Sequence, residues 1–164
     1  MNTFHIAVYV ENKYGVLTRV TSMFTRRGFN IDALTVGETE SPAYSRITIT
    51  LTGDAHLCEQ VVSQLHKLHN VKKVEMMESE TIKRVLMLIK VRNAADTRAD
   101  ILSAVEVYRA KVIDYTADAM CIEITGEPTK IDAFIKLMMP FGVLEMCRTG
   151  VVALDRGEKT LLGH

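Results

Sequence analysis

The chain has 164 residues, enough for one large domain or two small ones of about 80 residues each. Apolar residues make up 48% of it and charged residues 24%, so a packed globular core is within reach. Lysine plus arginine equals aspartate plus glutamate, 20 each; the resulting zero net charge argues against a dominant nucleic-acid or anionic-membrane role and suits self-association.

The start, Met1-Asn2-Thr3-Phe4, has neither a basic segment nor an apolar stretch of the kind that directs secretion. No run approaches the roughly 18 apolar residues of a membrane span, so a cytoplasmic protein is expected. Residues 3–10 alternate apolar and polar through Phe4, Ile6, Val8 and Val10, as a half-buried strand does. Leu17, Val20 and Phe24 then mark one face of a helix over 16–27, which Gly28 stops. Residues 29–38 read as a strand, followed by a turn at Glu40-Ser41-Pro42. The next strand, 44–52, sets Ser45, Ile47, Ile49 and Leu51 on one face. Gly53-Asp54 supplies a stop and a helix cap, and Leu57, Val61, Leu65 and Leu68 stripe a helix over 55–68. A strand over 71–78 completes the order βαββαβ.

The second half repeats that order. A strongly apolar strand spans 82–91, and Ile101, Val105 and Tyr108 lie at helical spacing within 96–108. Residues 110–116 and 119–125 pair around Ala117-Asp118. Gly126-Glu127-Pro128-Thr129 opens a helix over 130–139, and 143–154 closes as one strand. The fold class is therefore α+β: two ferredoxin-like βαββαβ units, each an antiparallel four-stranded sheet with two helices on one face. The domains are expected at 1–78 and 79–164, with a joint at 79–81 and a loose polar tail from Arg156 to His164. One face of each sheet has no helix over it, so a homodimer is expected. In it the Asn12–Gly15 loop of one copy would face Asn30-Ile31 of the other.

The junction from Val10 to Arg19 carries the clearest chemistry. A strand ends in a short polar loop with one glycine, and a helix begins, so its first free N–H groups can hold an anion. Asn12 adds an amide beside that spot, and Gly15 permits close approach to the backbone. A free amino acid's carboxylate is the obvious small guest. The other reading is that Gly15 serves only the turn and Asn12 only caps the helix.

Other chemistry is sparse. There is no nucleophile elbow, phosphate-binding loop or dinucleotide fingerprint, and no catalytic residue is expected. His66 and His69 have metal-like spacing near His56 and Cys58, yet a solvated helix face explains them better, and no metal site is expected. Arg26-Arg27 suits a helix end stabilised by its dipole. Cys58, Cys121 and Cys147 fit reduced, mostly buried thiols. An RNA-binding βαββαβ domain needs exposed aromatics on its middle strands, where only Tyr44 and Tyr115 stand as candidates.

The segments V-E-N-K-Y-G-V-L-T-R-V (Val10 to Val20), F-T-R-R-G-F-N-I (Phe24 to Ile31), L-T-V and S-R-I-T-I (Ser45 to Ile49) resemble the ACT domain of acetolactate synthase small subunits. The ending T-G-V-V-A-L-D-R-G (Thr149 to Gly157) resembles the close of the same family, and the likeness covers nearly the whole chain. The resemblance implies a non-catalytic, regulatory partner of a large thiamine-diphosphate enzyme that makes 2-acetolactate from pyruvate in branched-chain amino-acid synthesis. It implies activation of that large subunit and feedback inhibition by valine. Thiamine diphosphate, magnesium and FAD would belong to the catalytic subunit, leaving this chain without a cofactor. Valine would lie across an ACT-domain dimer, against Asn12, Gly15, Val16 and Leu17 of one copy and Asn30 and Ile31 of the other. The N–H groups of Gly15, Val16 and Leu17 would meet its carboxylate. Asn12 and Asn30 would accept from its ammonium or brace the loops, and Val16, Leu17 and Ile31 would enclose its isopropyl group. Thr18 stands where the family often has serine. The C-terminal half would support the full valine response. Two alternatives differ in class: a stand-alone ACT-type sensor for another pathway or for transcription, and a small ferredoxin-like enzyme.

Overall fold

Alternation in the first strand decides the first unit. The computed structural model describes residues 1–163. Strand β1 (Asn2–Glu11) pairs antiparallel with β3 (Tyr44–Gly53), with Ile6 opposite Ile49 and Val8 opposite Ile47. Alternation at period two puts these four side chains on one face, where all are buried. Helices α1 (Val16–Arg27) and α2 (Ala55–His66) cover that face with Val20, Met23 and Phe24 from the first and Cys58, Val61 and Leu65 from the second. Strands β2 (Ala33–Glu38) and β4 (Val71–Met76) complete the order β2-β3-β1-β4. The ends of the helices follow from local chemistry. Gly28, at φ 68°, turns α1 off, and its N–H donates to the carbonyl of Thr25. The Asp54 carboxylate accepts from the Leu57 N–H at 2.8 Å and starts α2.

The second unit repeats the order through β5 (Ile82–Arg92), α3 (Arg98–Val107), β6 (Lys111–Tyr115), β7 (Ala119–Gly126), α4 (Pro128–Met138), a 3-10 turn at Met139–Phe141 and β8 (Val143–Arg148). Its sheet runs β6-β7-β5-β8. Val85, Met87, Ile89 and Val91 of β5 are buried in its core, as are Ile101, Phe134 and Met138 of its helices. The rings of Tyr108 and Phe134 meet edge-on at 5.3 Å. The ferredoxin-like α+β class expected from the pattern is what the chain adopts. Among the described residues, no helix is long and apolar enough to cross a membrane.

Two expectations need correction. Strand β2 starts at Ala33 rather than residue 29, because Phe29 folds back to meet Phe24 edge-on and Asn30 bonds Asp32 in a loop. The expected strand over 143–154 breaks after Arg148 and resumes as β9 (Val152–Leu154). The chain divides into two compact units, Met1–Ile82 with the segment from Gly150 onward, and Lys83–Thr149.

The returning segment explains this division. The face of the first sheet opposite its helices carries Ala7, Tyr9, Thr35, Arg46 and Glu75. Gly150 sits so close to Thr35 that a Cβ there would lie 2.4 Å from Oγ1 and 3.0 Å from the Leu34 backbone. Arg46 Nη2 donates to the Ala153 carbonyl at 2.8 Å, and Lys159 pairs with Glu75 at 2.9 Å. Val151, Ala153 and Leu161 are buried. The polarity of 156–164 signalled a loose tail, but Lys159 and Leu161 anchor it; His164 lies outside the described residues. Part of the sheet face that called for a partner is thus met by the chain itself.

Replacing Gly150 with alanine should destabilise the first unit by about 1–3 kcal/mol, the usual cost of forcing atoms into a filled site. Urea unfolding monitored by circular dichroism reads this. An unchanged midpoint would mean that the segment does not pack as described.

Candidate functional site

The loop between β1 and α1 is shaped by Gly15, whose φ of 82° lies in the left-handed region that glycine occupies without penalty. The chain turns there and enters α1 with no side-chain cap. The Arg19 N–H closes the first turn onto the Gly15 carbonyl at 3.1 Å. Among the described residues, no acceptor takes the N–H of Gly15, Leu17 or Thr18. These donors lie at the positive end of the helix dipole, the arrangement that favours an anion. Nothing lies within 4 Å of where a Gly15 Cβ would be, so the approach is open.

The expected residues divide into those that face outward and those that do not. Leu17 is 42% exposed beside the free N–H groups. Val16 faces inward: its side chain is buried in the unit's own core, and its N–H returns to the Lys13 carbonyl at 3.3 Å. The helical period forces this, since Val16 and Val20 share the face that packs on the sheet. Asn12 is held from behind. Its Nδ2 donates to Glu38 Oε1 at 3.1 Å and to the Pro42 carbonyl at 3.0 Å, and its own N–H donates to the Ala43 carbonyl at 2.8 Å. That leaves Oδ1 as an acceptor. Asn30 is similar, with Nδ2 donating to Asp32 Oδ1 at 2.9 Å. Ile31 is half-buried against the core.

One chain does not bring the two walls together. Asn12 and Gly15 precede α1, whereas Asn30 and Ile31 follow it. The 12 residues of α1 separate them by roughly 18 Å at 1.5 Å per residue.

The residues behind the loop escaped the sequence analysis. The Glu11 carboxylate accepts from Asn70 Nδ2 at 2.6 Å and pairs with Lys72 at 3.0 Å and Lys13 at 3.2 Å. Asn70 Oδ1 in turn accepts from Arg19 Nη1 at 2.7 Å. These hydrogen bonds, that of Asn70 foremost, hold the Glu11 carboxyl down at about 2. No sequence signal could have found the pair, because 59 positions separate Glu11 from Asn70.

Other candidates resolve differently. Cys58 is buried with its Sγ 3.2 Å from Met76 Sδ, and burial pushes its thiol up. Cys147 is exposed, contrary to the expectation of mostly buried thiols. His56 shares a hydrogen bond with Gln60, and no three metal-ligating side chains meet among the described residues. The Tyr44 ring stacks on Tyr9 at 4.8 Å. A cavity of about 410 Å³ opens between Tyr9, Arg46 and residues 154–162, but Lys159 and the acids around it pair among themselves.

The Glu11 carboxyl is lower in the folded chain than in the unfolded one. Its contribution to stability is therefore complete above about pH 4.5 and lost as the pH falls toward 2. Glu11→Gln should flatten this part of the acid limb in urea titrations between pH 4.5 and 2; a limb as steep as the parent's would contradict the assignment.

Comparison with known proteins gives the family of the chain. Residues 6–73 match the family model described as an AHAS small subunit-like ACT domain, and residues 84–157 match that of the small subunit of acetolactate synthase. The acetolactate synthase small subunit of Mycolicibacterium smegmatis is 46% identical over 158 residues, 96% of this chain and 93% of its own. That of Haemophilus influenzae is 40% identical over 159 residues, 96% of this chain and 98% of its own. The crystal structure of the small subunit from Thermotoga maritima superposes with a TM-score of 0.88 at 40% identity, covering 97% of this chain and 100% of that one.

Proposed function

Because the chain belongs to the acetolactate synthase small-subunit family, we propose that two copies join through their ACT domains, bind valine between them and so set the activity of a separate catalytic subunit. The observation that supports this reading is that Asn12 and Gly15 lie before α1 and Asn30 and Ile31 after it, at its opposite ends. A copy related by a two-fold axis brings the loop of one chain to Asn30 and Ile31 of the other, and does so twice. The N–H groups of Gly15, Leu17 and Thr18 receive the carboxylate. The Oδ1 atoms of Asn12 and Asn30, left over by their internal bonds, accept from the ammonium. Leu17 and Ile31 border the side chain, while Val16 supports the loop from the core. In this reading Thr18 takes the N–H role that the sequence assigned to Val16.

Selectivity among branched amino acids is then modest, since one methylene in an apolar pocket changes binding by about 1–3 kcal/mol. Inhibition also requires that valine favour one state of the complex, and couplings of about 1–3 kcal/mol are typical. The carboligation chemistry belongs to the catalytic subunit, together with its thiamine diphosphate, magnesium and FAD. This chain supplies binding and coupling and works in branched-chain amino-acid synthesis in the cytoplasm.

Calorimetry of the purified chain with valine, leucine and isoleucine tests the proposal. Valine should bind most tightly, and Asn12→Ala should weaken it roughly tenfold, as expected for losing a hydrogen bond to a charged group. Equal heats for Asn12→Ala and the parent would remove Asn12 from the site. In the reconstituted holoenzyme, Gly15→Asp should abolish inhibition by valine. Its carboxylate would stand where the ligand's does. The open space around Gly15 and a strain of about 1–2 kcal/mol at its positive φ leave the fold intact. Undiminished inhibition would contradict the placement.

A further inference from the structure

We infer that Asn70, with Glu11, is a positioning residue of the effector loop: it locks the end of β1 to the first turn of α1 and so sets the direction of the free N–H groups. The inference rests on the proposed valine site and goes one layer behind it.

Asn70 is 7% exposed and sits in the turn between α2 and β4. Its backbone carbonyl and both polar atoms of its side chain bond residues that flank the loop. Its carbonyl accepts the Glu11 N–H at 3.0 Å, and its Nδ2 donates to the Glu11 carboxylate at 2.6 Å. Its Oδ1 accepts from Arg19 at 2.7 Å. Glu11 is the last residue of β1, and Arg19 lies in the first turn of α1, so one side chain clamps both ends of the Asn12–Gly15 turn. Lys13 and Lys72 pair with the same Glu11 carboxylate. The Asn12 contacts to Glu38 and Pro42 grip the same loop from the side of the β2–β3 turn.

A loop whose glycine hinge has nothing around it keeps a single shape only if something else fixes its ends. Preformed donors bind an anion better than mobile ones, because the ordering cost has already been met. A short, partly buried, charge-assisted bond such as that from Asn70 to Glu11 is suited to that task. The chemistry at this position needs a donor and an acceptor on one planar group. Aspartate would keep the acceptor toward Arg19 but set a carboxylate against Glu11.

Two readouts on Asn70→Ala, Glu11→Gln and the double variant test the inference. The first is hydrogen exchange of the Asn12, Val16 and Arg19 amides in the ligand-free chain, which should quicken at least tenfold in Asn70→Ala. The second is calorimetric affinity for valine, which should fall on the order of tenfold in each single variant and no further in the double. Exchange rates equal to the parent's overturn the inference whatever the affinities do. So does an affinity loss that is additive across the pair. If the parent chain binds none of the three amino acids while exchange still quickens, the clamp stands and the valine reading falls. Asn70→Asp, close in size to the parent, serves if the alanine variant does not fold, with the same expectations.

Discussion

A set of backbone N–H groups with no partner among the described residues is the constraint around which the site is arranged. Any α-helix begins with such donors, and most are quenched by a cap residue. Here the residue before α1 is a glycine in the left-handed region, which has no side chain to cap with. The donors of Gly15, Leu17 and Thr18 are left facing solvent. The loop thus keeps an unmet demand for acceptors at the surface, at the end of the helix where negative charge is most stable.

The core and the site share one turn of helix. Val16 and Val20 dip into the sheet, and the same periodicity turns Leu17 and Thr18 outward. Packing therefore orients the exposed half of the turn. The asparagines obey a similar logic: each uses its amide N–H on its own chain and keeps a carbonyl oxygen for another partner. In the proposed dimer these oxygens and the free N–H groups supply opposite polarities, as a zwitterion requires. In the proposed site the distance along α1 calls for a second copy, which would tie binding to assembly. That link is how a molecule as small as an amino acid can bias a larger complex.

Much of the fold was legible because it rests on local periodicity. The period-two run through Ile6 and Val8, the helical spacing of Val20 and Phe24, Gly28 as a stop and Asp54 as a cap all act within a few residues of themselves. Strand ends were less legible. The start of β2 depended on Phe29 turning back to Phe24, a packing preference that its own β-forming composition opposes. The terminal segment misled for a different reason. Its polarity and glycines suggest looseness, but Lys159 finds Glu75, and Arg46 finds the Ala153 carbonyl 107 positions away.

The sequence by itself determined the two βαββαβ patterns, the glycine-bearing loop before the first helix and the family, since each is written in neighbouring residues or in a linear motif. Tertiary structure alone decided that Val16 belongs to the core, that the last strand breaks at Gly150 and returns to the first unit, and that Asn70 stands behind the loop beside Glu11 and Arg19. These are contacts between residues far apart in the chain. Their partners exist only after both helices have packed on the sheet, and no periodicity announces them beforehand.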